Sequence, residues 1–142
     1  MVMMILIYLS LLLLILSSII DLKSGYVYSV INLTILLINL IINHQFLIHK
    51  ILIGIIFYLL MMMVYYISNK SFGYGDIETL VVLSINLSFI NIIKLLFYSN
   101  LSALLYVLIY YLLNKKMLKK IAFVPFISIG YIIILLKSHI LF

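Results

Sequence analysis

Residues 2–23 read VMMILIYLSLLLLILSSIIDLK, an apolar run over 2–20 that is interrupted by serines and closed by Asp21 and Lys23. A helix crossing about 30 Å of hydrocarbon needs about 20 residues, with about 17 the practical minimum, so this run can span a bilayer. It does not read as a cleaved signal: no basic residue precedes it, it exceeds an h-region, and no small-x-small site follows. Five more apolar runs of 16 to 19 residues follow, over 27–42, 51–67, 77–93, 95–113 and 121–136. Of the 142 residues, 68% are hydrophobic and 8% charged, against about 25% charged in soluble proteins, which excludes a soluble globular fold. The predicted fold class is all-α. It is a polytopic membrane helix bundle of about six transmembrane helices, one membrane-embedded domain over residues 1–142.

The formal charge of +6 comes from nine lysines set singly between apolar runs, apart from the short cluster Lys115, Lys116, Lys119 and Lys120. A nucleic-acid face needs basic residues gathered on a soluble surface, so no nucleic-acid partner is expected; the lipid bilayer is. With the N-terminus outside, inner loops hold Lys23, Lys70 and the cluster of four, and outer connections hold Lys50, Lys94 and Lys137. That bias predicts an N-out topology, with Asp21 and Asp76 at the cytoplasmic face. The chain has no cysteine, hence no disulfide, thiolate nucleophile or thiolate metal site. His44 and His49 on an outer loop make a poor metal site, and His139 stands alone in the tail. No metal and no cofactor is expected.

The acids are three: Asp21, Asp76 and Glu78. Two of them close the stretch Ser71-Phe72-Gly73-Tyr74-Gly75-Asp76-Ile77-Glu78. Paired glycines permit unusual backbone angles and close approach, and Asp76 falls where a helix begins. Alone, this stretch fits a plain turn with a capping aspartate better than a catalytic motif. Asp21 shifts the balance, because an acid at a helix C-terminus faces the negative pole of the dipole. An ionisable group at a membrane border is a functional candidate by default. If the first and fourth helices pack together, the two carboxylates can meet. Such a pair shares one proton: the ionised member deprotonates water, and the neutral one polarises a peptide carbonyl. Helix ends favour Asp76 as the anion and Asp21 as the neutral acid. Glycosidases also use carboxylate pairs, but the chain lacks tryptophan and a sugar cleft.

Three segments resemble the prepilin leader peptidases (type IV prepilin peptidases), membrane-embedded aspartic proteases of the Gly-x-Gly-Asp class. They are Asp21-Leu22-Lys23, Phe72-Gly73-Tyr74-Gly75-Asp76, and the stretch Ala122-Phe123-Val124-Pro125-Phe126-Ile127-Ser128-Ile129-Gly130. The resemblance implies an aspartic endopeptidase that removes the basic leader of type IV prepilins or pseudopilins at the cytoplasmic face of a bacterial cell membrane. It implies Asp21 and Asp76 as the catalytic pair, positioned by Gly73 and Gly75, with Pro125 and Phe126 as candidate site-lining residues. Larger members carry a cysteine-bearing N-terminal region linked to N-methylation. Its absence here reads as a short, peptidase-only form, as in pilus, competence or secretion systems. Where many relatives have lysine two residues beyond the motif aspartate, this chain has Glu78, either a contact for the basic leader or an exposed loop acid.

Two other readings compete. One is a non-enzymatic small transporter or secretion-assembly partner, using the aspartates for ions or helix contacts and Asn32, Thr34, Asn39, Asn86 and Asn91 as a polar path. The other is a protease of the presenilin or signal-peptide-peptidase type. Oligomeric state is not legible in the sequence.

Overall fold

The computed structural model describes residues 2–69, 72–116, 118 and 120–140. Lys70, Ser71 and Lys119 lie outside the described residues, as does the side chain of His139. Six α-helices follow in order: α1 (Val2–Ser24), α2 (Ser29–Ile42), α3 (Leu47–Ile67), α4 (Tyr74–Ser84), α5 (Phe89–Asn114) and α6 (Val124–Ile140). A 3-10 turn, His44–Phe46, leads into α3. No strand occurs among the described residues. Three stretches are long and apolar enough to cross a membrane: Met3–Ser24, His44–Ile67 and Phe89–Asn114. The chain is a helical membrane bundle.

The boundaries differ from the expected spans most at the fourth run. A continuous helix over 77–93 is replaced by α4, which has 11 residues, and a fresh start at α5. The apolar residues conceal a turn. Asn86 and Leu87 donate their N–H groups back to Leu83 and Ser84 at 3.1 and 3.2 Å. Ser88 then caps α5, its hydroxyl accepting the Asn91 N–H at 3.4 Å. Residues 120–123 are likewise not helical, and α6 begins at Val124 with Pro125 in its first turn, where a missing N–H costs nothing.

The helices neighbour one another in the order α5, α6, α1, α2, α4, α3, and α6 also touches α4. Leu14, Ile35, Ile77, Leu80, Leu83, Leu95, Ile127 and Tyr131 fill the centre. The outer faces of α1, α3 and α5 expose rows of leucine and isoleucine such as Leu52, Ile55, Ile56 and Leu59, a surface suited to lipid. At Gly130 a Cβ would meet the Ser99 hydroxyl at 2.7 Å and the Leu95 carbonyl at 3.2 Å, so α6 lies hard against α5.

The α2 and α4 helices run side by side in one direction, in a register fixed by hydrogen bonds. Thr79 donates to the Asn32 amide oxygen at 3.2 Å, Asn39 donates to the Val82 carbonyl at 2.8 Å, and Asn43 donates to Asn86 at 2.7 Å. Both helices therefore begin at one level, where the site lies. Their 14 and 11 residues are shorter than a bilayer crossing requires.

Candidate active site

Helix α1 stops at Ser24 because Gly25 takes a left-handed conformation, φ +62°, that side chains disfavour. The Gly25 N–H closes the turn on the Asp21 carbonyl at 2.8 Å. Asp21 thus sits in the last turn of α1, and it is 5% exposed. Its carboxylate accepts the backbone N–H of Val124, the first residue of α6, at 3.2 Å. The start of α6 is pinned to the acid across 103 residues of sequence.

Asp76 lies in the first turn of α4, behind Gly73 at the N-cap. Its carboxylate accepts the Gly73 N–H, the reciprocal half of a capping box. Neither glycine of the motif has a left-handed φ; at both, an added Cβ would meet a close neighbour. A Cβ on Gly73 would stand 2.6 Å from the Asp76 carboxylate, and one on Gly75 would stand 2.6 Å from the Val27 Cβ. Gly75 thereby seats α4 against the connection between α1 and α2.

Asp21, Gly73, Gly75, Asp76 and Glu78 all line one open cavity of about 560 Å³. Leu22, Tyr26, Ser29, Lys120 and Phe123 complete much of its wall. The aspartate helices meet mainly through α2 and α6, which neighbour α1 and α4 alike. Burial pushes the Asp76 carboxyl up to about 7, and the charge of Asp21 adds to the rise. The Gly73 N–H and the charge of Lys120 work against it. Burial thus works against the anion that a helix N-terminus favours at Asp76.

Glu78 also borders the cavity, and it is held from α2: one oxygen accepts the Ser29 hydroxyl at 3.0 Å and the Asn32 amide at 3.4 Å. Pro125 and Phe126 stand away from the wall, which Lys120, Ile121, Ala122 and Phe123 form instead. The Phe126 ring is buried, 5.5 Å from that of Tyr106. The Pro125 carbonyl accepts the Ser128 hydroxyl at 2.7 Å. Lys120 and the Val124 N–H are the site groups that sequence reasoning missed. The lysine was absorbed into a charge cluster, and a backbone donor leaves no mark on composition. Among the described residues, no three histidine, aspartate or glutamate side chains converge to hold a metal ion.

No curated protein and no solved structure matches the chain. A family model does, over residues 7–109, a segment that includes Asp21 and the whole Gly-x-Gly-Asp stretch. That match extends over more than half of the sequence, and by it the chain belongs to the type IV leader peptidase family.

Proposed function

We propose that the chain is an aspartic endopeptidase that removes the basic leader of a type IV prepilin or pseudopilin at the cytoplasmic membrane face. The observation that carries this reading is the common cavity of Asp21 and Asp76, with the charge of one acting on the other. Asp21, oriented by the Val124 N–H, is the general base: it takes a proton from water, which attacks the scissile carbonyl. Asp76 carries the shared proton, polarises that carbonyl, and passes the proton to the departing amine. Gly73 and Gly75 hold the second carboxyl in place. Glu78 supplies an acidic wall where the basic leader enters.

Co-expression with a prepilin tests the reading. The wild-type chain shortens the substrate by its leader on a gel, and Asp21→Asn and Asp76→Asn do not. Processing that survives either substitution overturns it. Orientation has its own test. The sequence lacks cysteine, so Ser24→Cys and His44→Cys each place a single thiol at one end of the bundle. An impermeant reagent added outside intact cells labels the second and spares the first; the opposite pattern inverts the topology.

A further inference from the structure

Lys120 belongs to a basic run that loop charge alone explains in sequence, yet it stands in the wall of the aspartate cavity. Its ammonium donates to the Gly25 carbonyl at 3.4 Å. Gly25 in turn closes the turn of α1 that holds Asp21. Four residues further on, the Val124 N–H donates to the Asp21 carboxylate. The segment 120–124 therefore straps the end of α1 at two points, and the first of them fixes a cation beside the cavity. Sharing the cavity wall with that cation are Asp21 of α1, Tyr26 of the α1–α2 connection, and Tyr74, Asp76 and Glu78 of α4. Lys120 is the one lysine among the described lining residues.

A strap to Gly25 needs a hydrogen-bond donor and no charge. A cation beside two carboxyls does something further: it favours the form of the pair that carries a negative charge over the fully protonated form. We infer that Lys120 is a positioning residue of the aspartate pair, anchored on Gly25 so that its charge keeps the pair singly ionised, the form in which it can activate water. The functional sense of this inference rests on the two-aspartate mechanism above; the electrostatic sense does not.

Infrared titration of the full chain in lipid bilayers separates the two. The band of the protonated pair is assigned with Asp21→Asn and Asp76→Asn, and its midpoint is followed in wild type, Lys120→Gln and Lys120→Arg. Glutamine keeps a donor and loses the charge; arginine keeps both. Lys120 is exposed, so neither change opens a cavity in the core. The expected result is an upward midpoint shift of about half a unit to one unit in Lys120→Gln and a near wild-type midpoint in Lys120→Arg, the shift shrinking in high salt. The pH profile for cleavage of a membrane-anchored peptide with a lysine-bearing leader moves upward by the same amount. An unmoved midpoint in Lys120→Gln overturns the inference, and so does an equal shift in Lys120→Arg. A midpoint that moves as expected, in a wild-type chain that cleaves no such peptide, upholds the charge effect and overturns the proteolytic reading.

Discussion

At the start of α4, the Asp76 and Glu78 carboxyls border an open cavity opposite Asp21. At its far end, Asn86 donates to the Asn39 amide oxygen at 3.1 Å and accepts from Asn43 at 2.7 Å, while Lys50 donates to the Leu87 carbonyl at 3.3 Å. Both ends are polar in an apolar chain, and they differ in what satisfies the polar groups. The asparagine end is closed on itself, each amide serving the next, which is how a helix contact in a membrane is secured. The aspartate end gathers charge, pairs it incompletely and leaves it facing space. Polarity inside a bundle marks chemistry only where the groups leave capacity unused.

The difference can be broken most forcefully at the aspartates. On the proposed two-aspartate mechanism, Asp21→Asn and Asp76→Asn each lower hydrolysis by about a hundred- to ten-thousand-fold, the range for losing a general acid or base, with the fold kept. Single-turnover cleavage beside a thermal melt checks this. Gly73→Ala comes next. Its new Cβ would stand 2.6 Å from the Asp76 carboxylate, and displacing that carboxyl costs about a hundredfold in rate while the melting temperature holds. At the other end the effect falls on stability. Asn86→Ala removes one partner each from Asn39 and Asn43 and costs about 1–2 kcal/mol, read by melting in detergent, with kcat per folded molecule unchanged. A large loss of kcat in Asn86→Ala would erase the distinction between the two ends.

A further effect is in pH. The Asp76 carboxyl is raised above its unfolded value, so the folded chain binds the proton more tightly than the unfolded one. Stability from this group is complete below about pH 4 and is lost as pH rises through about 7. The wild-type melting temperature falls across that window, and Asp76→Asn flattens the slope.

Helix number and class were legible because hydrocarbon thickness imposes run lengths that no soluble fold imitates. Asp21 and Asp76 were legible as candidates, and as neighbours of one cavity, because acids are so scarce that each demands a reason. The break after Ser84 was hidden, since Ile85, Leu87 and the residues from Phe89 onward keep the run apolar while Asn86 and Ser88 turn it. The rise at Asp76 was hidden too, because it depends on how much water that carboxyl loses. Lys120 was visible as charge and invisible as a neighbour of the pair, a relation fixed by the approach of residues 120–124 to Gly25.

The shortness of α2 and α4 has a consequence for the surrounding lipid. Helices of 14 and 11 residues rise about 21 and 16 Å, well below the roughly 30 Å of a hydrocarbon slab. Hydrophobic matching favours a bilayer thinned on that flank. Acyl chains of greater length would oppose the thinning, so turnover should fall as bilayers are made from progressively longer-chain phospholipids.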